Sequence, residues 1–323
     1  MEAVQKIFNA SRVGQQIVAN VYSSKAGSSN KSHVHAKRLT LLFVHATGFH
    51  KELWEPVLQR LFAHNNNRWF IDNAIALDAY NHGDSAISNR KTISEETESP
   101  WFLNSRDILG VISQLGKPRN IIGIGHSWGA TSLLLAEIMS PLTFAALVAT
   151  DPVLYLKPNK NKMLYEKTLK RPCEWSDISA ARQYFEPHPF FGIWDKRILD
   201  LYIKHGLETI PINNFNPDFT KLILKCRPLN EAAVFAGAHQ ASPHATNNLW
   251  KIQCPVAFLT GELSEISPPS YIAKIIKDIP DCQHVVMSDV GHLLNFQDPD
   301  GAANHYIGFL DNFSSKIKLP SSL

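Results

Sequence analysis

Gly125-His126-Ser127-Trp128-Gly129 sets a serine between two glycines in the pattern G-x-S-x-G. The apolar run Asn120-Ile121-Ile122 comes before it and a helix-like stretch, residues 131–139, comes after. The motif requires this strand–turn–helix context, in which the serine is held on a sharp turn. Gly125 and Gly129 are then expected for steric reasons, since a β-carbon at either position would crowd the turn. Strained backbone at the turn lifts the Ser127 hydroxyl above the sheet edge, within reach of a carbonyl carbon. The chemistry such a serine offers is nucleophilic acyl transfer. A plain buried serine at a helix start is the rival account.

Acyl transfer also needs a base, a group that holds the base in the right tautomer, and donors for the oxyanion. The base is expected late in the chain, on the loop after the last core strand, and Gly291-His292 stands there. His126 is read as structural, and His45, His50 and His82 as loop histidines that line or position. The acid is less direct. Its common place, three residues beyond Gly261, holds Ser264. Asp151, at the end of the strand after the serine, can reach His292 from the adjacent strand. Glu265 is the alternative, one residue beyond the common place. Asp151-Pro152 also reads as an ordinary turn. The oxyanion donors expected are the backbone N–H of Trp128 and that of Thr47, in the loop His45-Ala46-Thr47-Gly48.

These residues must be positioned by a sheet. Apolar strands are predicted at residues 37–44, 73–77, 144–149, 255–260 and 284–287, with an early edge strand at 16–22. Helical patterns alternate with them at about 54–62, 101–115, 269–277 and 304–313. Near-continuous apolar strands alternating with helices predict a mostly parallel central sheet with helices on both faces. The alternation breaks after residue 151. Helical patterns near 162–170, 178–185, 194–205 and 219–225 predict a mainly helical lid over residues 152–249, inserted into a core made of 1–151 and 250–323. Phe185, Phe190, Phe191, Trp194 and Tyr202 either offer that lid an apolar substrate surface or pack it onto the core.

With these residues in view, the chain resembles an α/β-hydrolase. More narrowly it resembles the fungal group that takes in a peroxisomal lipase, toxin-biosynthesis hydrolases and a peroxisomal acyl-CoA hydrolase. The matching residues are His45-Ala46-Thr47-Gly48 with Trp54, Asn81-His82-Gly83-Asp84-Ser85-Ala86, Gly125-His126-Ser127, Asp151-Pro152-Val153 and Gly291-His292. The likeness covers about residues 37–150 and 250–313. It implies Asp151 as the acid and Ser127–Asp151–His292 as the catalytic set. Ala46 departs from the more usual glycine. The activity implied is hydrolysis of a carboxylic ester, lipid or small and apolar, through an acyl-serine. An acyl-CoA thioesterase with the same three residues is the alternative, and Lys157, Lys160, Lys162, Lys167, Lys170 and Arg171 are dense enough to meet phosphates. A fold used only to bind a small apolar ligand is the third reading.

Composition excludes other classes. A net charge of +3, with no basic cluster interleaved with aromatics, predicts no nucleic-acid partner. The serine argues against epoxide and haloalkane chemistry on this scaffold, which uses a carboxylate nucleophile. No metal, dinucleotide or nucleotide-phosphate motif is present, so no cofactor is expected. The four cysteines form neither a knuckle nor a C-x-x-C pair, and the first residues lack a secretory pattern. No run is long enough for a membrane span. The expectation is an intracellular protein of the cytoplasm or the peroxisomal matrix. Ser321-Ser322-Leu323 resembles the S-K-L address, and a peroxisomal import receptor is the partner it implies.

Overall fold

Leu41 and Phe43 face one side of a strand while Leu42 and Val44 face the other, and all four are buried. A strand buried on both faces must lie inside a sheet covered by helices on both sides. The computed structural model describes residues 1–24, 36–93, 97–157, 162–212 and 219–316. Its strands are β1 (Glu2–Asn9), β2 (Gln16–Ser23), β3 (Lys37–Val44), β4 (Trp69–Leu77), β5 (Ile121–His126), β6 (Ala146–Thr150), β7 (Glu174–Trp175), β8 (Leu207–Pro211), β9 (Thr220–Leu224), β10 (Val256–Gly261) and β11 (Cys282–Met287). Eight form one sheet in the order β1-β2-β4-β3-β5-β6-β10-β11. From β4 to β11 the neighbours run parallel, while β1 and β2 are antiparallel.

Two apolar layers cover the sheet. On one face Leu42, Val44 and Leu147 meet the helices Trp101–Gln114 and Trp128–Met139. On the other, Leu41, Phe43, Ile124 and Val148 meet Glu55–Ala63 and Pro299–Lys316. The helix Trp128–Met139 is buried on almost every side, as expected of one that leaves the sheet centre. The architecture is therefore the expected one.

The structure corrects several local expectations. Residues 16–22 do not form the edge: β1 pairs outside β2 across its full length. Most β1 side chains are exposed, so the strand lacks the apolar alternation that reveals strands in a sequence. Between β6 and β10 helices predominate, and a small sheet that was not expected joins them. Helices Lys162–Leu169, Ile178–Phe185, Lys196–Gly206, Pro228–Ala236 and Ala238–Asn247 accompany a three-stranded antiparallel sheet, β7-β9-β8. The run at 219–225, expected as helix, is β9; a short apolar run does not by itself distinguish the two states. Phe185, Phe191, Trp194 and Tyr202 pack with Ala46, Phe49, Leu53, Leu293 and Phe296 of the core, so they join the insertion to the loops at the strand ends, whereas Phe190 is exposed. No helix among the described residues is long and apolar enough to cross a membrane.

Candidate active site

Strand register brings the singled-out residues to one edge. Val44 pairs with Gly125, His126 with Thr150, and Thr150 with Leu259. The residues just past β3, β5, β6 and β10 are consequently side by side at the carboxyl ends of the strands. The chain runs from β3 outward to β4 on one side and to β5 on the other, so a crevice opens between the loops after β3 and β5. Open parallel sheets bind ligands at such a switch point.

Ser127 has φ 56° and ψ −119°, a backbone state that costs a non-glycine residue about 1–3 kcal/mol. Neighbours hold it there: the Ser127 N–H donates to Thr150 O at 2.9 Å, and Thr131 N–H donates to Ser127 O at 3.1 Å. A β-carbon at Gly125 would lie 2.6 Å from Ala130 N, and one at Gly129 would strike the Val44 and His45 carbonyls. The two glycines are thus sites of close backbone approach.

The Ser127 hydroxyl lies 2.9 Å from His292 Nε2, and His292 Nδ1 lies 2.6 Å from Asp151 Oδ1. With Nδ1–H donating to the carboxylate, the Nε2 lone pair faces the hydroxyl. Asp151 is fully buried and itself has φ 43°. Its Oδ1 also accepts from Ser264 Oγ at 2.6 Å, and its Oδ2 from Gly261 N–H at 2.9 Å. Ser264 is in turn held by Ser267 N–H at 3.1 Å. Glu265, the alternative acid, is exposed and makes no hydrogen bond to His292.

His126 Nε2–H donates to the His292 carbonyl at 2.8 Å, so it fixes the histidine loop rather than the reacting serine. Burial pushes His126 down to about 3, and it stays neutral. Gln297 Oε1 accepts the Gly291 N–H at 2.8 Å and holds the same loop from the other side. His45 and His82 secure the loop after β3. His45 Nε2 accepts from Ala79 N–H at 3.0 Å, and His82 Nε2 accepts from Gly48 N–H at 2.9 Å. His50 binds Glu52 at 2.9 Å, away from Ser127. The Thr47 N–H, in that loop, and the Trp128 N–H, at the first position of its helix, have no acceptor among the described residues.

Sequence reasoning missed Ser264 as a partner of Asp151, as well as Ser267 and Gln297. The serine at 264 was visible, but its contact spans 113 residues and depends on how β6 and β10 pair. The basic cluster also looks different in space. Lys157, Lys162, Lys167 and Lys170 are exposed, whereas Arg171 turns inward to Glu231; Lys160 lies outside the described residues.

A serine on a strained strand-to-helix elbow at a parallel-sheet switch point, joined through a late histidine to a buried carboxylate, is the arrangement of a hydrolase scaffold. The chain belongs to the alpha/beta hydrolase family, whose model matches residues 41–305. It is 25% identical over 316 residues to the peroxisomal membrane protein LPX1 of Saccharomyces cerevisiae, a match covering 90% of this chain and 80% of the relative. It is 26% identical over 212 residues to the type I acyl-CoA thioesterase mpaH of Penicillium roqueforti, covering 63% of this chain but only 48% of that relative. Among solved structures, the peroxisomal alpha-beta-hydrolase Lpx1 of Saccharomyces cerevisiae superposes with a TM-score of 0.83 at 23% identity, over 100% of this chain and 91% of that one. The thioesterase domain from the curacin biosynthetic pathway superposes at 0.68 with 16% identity, over 95% and 100%. The resemblance to the fungal peroxisomal group therefore holds.

Proposed function

We propose that this protein is a serine hydrolase that cleaves a carboxylic ester through an acyl-serine intermediate. Ser127 is the nucleophile, His292 the general base, and Asp151 the carboxylate that orients His292 and stabilises the imidazolium. The backbone N–H groups of Thr47 and Trp128 receive the oxyanion. The observation that carries the reading is His292 bridging Ser127 Oγ at 2.9 Å and Asp151 Oδ1 at 2.6 Å, with Ser127 on strained backbone. The His292 side chain is 23% exposed, so water can reach the base for deacylation. Residues 152–249 act as the lid.

The decisive measurement is intact-mass detection of one fluorophosphonate adduct. Wild type acquires a single adduct, Ser127→Ala acquires none, Asp151→Asn labels far more slowly, and Glu265→Gln labels like wild type. Absence of any adduct on wild type would remove the mechanism and leave a binder of small apolar ligands. The likeness to mpaH and the exposed lysines favour acyl-CoA thioesters as a second substrate class. Comparing kcat/KM on matched p-nitrophenyl and CoA esters of one acyl group separates the two: a preference for the CoA ester that disappears at high salt assigns the lysines to its phosphates.

We further propose a peroxisomal address, supported by the likeness to a peroxisomal yeast protein. Ser321-Ser322-Leu323 lies outside the described residues. An amino-terminal fluorescent fusion should co-localise with a peroxisomal marker and disperse when the last three residues are removed. A diffuse signal from the intact chain would sink this idea.

A further inference from the structure

Arg171 follows the helix Lys162–Leu169, and Glu231 lies in the first turn of Pro228–Ala236, so both belong to the insertion. Their ion pair is end-on: Nη1 donates to Glu231 Oε1 at 3.2 Å, and Nη2 lies 2.5 Å from Oε2. The side chains are 21% and 7% exposed. Among the described residues Arg171 Nε–H has no acceptor, so Glu231 is the one carboxylate that balances this cation.

What this pair touches gives it meaning. Gly48 has φ +85°, and a β-carbon there would lie 2.6 Å from Glu231 Oε1. The Glu231 carboxylate therefore rests against the loop after β3, one residue past Thr47. The same loop is tied on its other side, because Gly48 N–H donates to His82 Nε2 and His82 Nδ1–H donates to Asn81 Oδ1 at 2.8 Å. Asn81 Nδ2–H in turn reaches Asn230 O, the residue before Glu231, at 3.4 Å. The loop is thus clamped between the core and the insertion.

A buried anion beside an oxyanion loop opposes the charge that develops in the transition state, unless a cation balances it. We propose that Arg171 and Glu231 are a positioning pair for the oxyanion loop: Glu231 seats Gly48 by contact, and Arg171 cancels the field that Glu231 would otherwise impose on the oxyanion. The inference rests on the serine-hydrolase reading above. It makes the reaction depend on the insertion being closed, because both residues reach the loop from there.

The two halves of the pair have opposite electrostatic consequences, and a merely structural pair does not. With the neutral ester p-nitrophenyl butyrate, Arg171→Met removes the cation that faces the Glu231 carboxylate. Its kcat should fall about 30- to 100-fold, for a charge several ångströms from the oxyanion at the effective dielectric of a protein, with KM nearly unchanged. Glu231→Gln leaves a lone cation, which does not oppose the oxyanion, and should not lower kcat. The double variant Arg171→Met/Glu231→Gln, which buries no net charge, should recover most of what Arg171→Met lost. The rate of fluorophosphonate labelling should follow the same order, and melting temperatures establish that each variant is folded. Should Arg171→Met not fold, the comparison of Glu231→Gln with the double variant still decides. Removing the lone cation from Glu231→Gln should lower kcat if the field matters and leave it unchanged if it does not. Equal losses in the two single variants, or an unchanged kcat in Arg171→Met, would overturn the proposal. An unlabelled wild type would instead remove the serine-hydrolase reading beneath it.

Discussion

Asp151 is a fully buried carboxylate with no Lys or Arg beside it among the described residues; His292, Ser264 and Gly261 supply its hydrogen bonds. Ser264 and His292 share one oxygen, so the serine both neutralises part of the carboxylate and fixes the direction from which it meets the imidazole. Ser264→Ala removes one hydrogen bond to a charged group, a loss of about 1.5–3 kcal/mol. We expect kcat/KM on a neutral ester to fall roughly ten- to hundredfold for that reason. A value within twofold of wild type would mean that Gly261 and His292 suffice. Ser264 stands where the acid was first expected and instead donates to Asp151.

At the scale of elements, the loops at the strand ends are held by devices that the sheet alone does not provide. Lys51 is completely buried, and its ammonium meets Asp78 at 2.8 Å, Asp84 at 2.6 Å and Glu52 at 2.7 Å. Burial works against the charge on Lys51, but the three carboxylates outweigh it and raise the ammonium above its ordinary value. Lys225 reaches Asp84 from the insertion at 2.6 Å, so this node also ties the insertion to the loop after β4. Lys51→Met would leave Asp78, fully buried, without its cation, at a cost of about 3–5 kcal/mol. Urea unfolding followed by circular dichroism should show a lower midpoint with an unchanged slope. A midpoint equal to wild type would show that the node is redundant. Phe296 acts beside it, stacking edge-on against Phe49 at 4.7 Å and against His126 at 5.5 Å. With Trp194 of the insertion at 4.9 Å, one ring thus links the loop after β3, the end of β5 and the insertion.

At the scale of the molecule, buried neutral histidines set the response to acid. Burial pushes His45 down to about 4 and His126 to about 3, and places His82 well below its ordinary value. An unfolded histidine titrates near 6.5, so below that pH the unfolded chain binds more protons than the folded one. Their contribution to stability is complete above about pH 6.5 and is lost as pH falls toward the folded values, at roughly 1.4 kcal/mol per pH unit for each group. Burial raises the carboxyls of Asp78, Glu137 and Glu231, and these act in the opposite direction. The melting temperature should therefore be flat above pH 7 and fall between about pH 6.5 and 5. His126→Asn should lessen that slope. A melting temperature that rises through this window on acidification would contradict the neutral assignment of the three histidines.

Ser127 and His292 were legible because each depends on a local signal. A glycine-flanked turn between an apolar strand and a helix, and a Gly-His after the last apolar strand, are short-range patterns that backbone sterics impose. The parallel sheet was legible for a similar reason: strands buried on both faces must be apolar along their whole length. The strand β1 was not, since an exposed edge strand owes its existence to a partner rather than to its own pattern. By itself, then, the sequence determined the order of the core strands' apolar runs, the position of the glycine-flanked serine turn and the hydrolase family. Tertiary structure decided what lies within a few ångströms of those groups. It placed Asp151 rather than Glu265 on His292, Ser264 on Asp151 across 113 residues, and the Arg171–Glu231 pair against Gly48. Hydrogen bonds and ion pairs act over about 3 Å, and which distant residues come that close depends on strand register and on how the insertion packs.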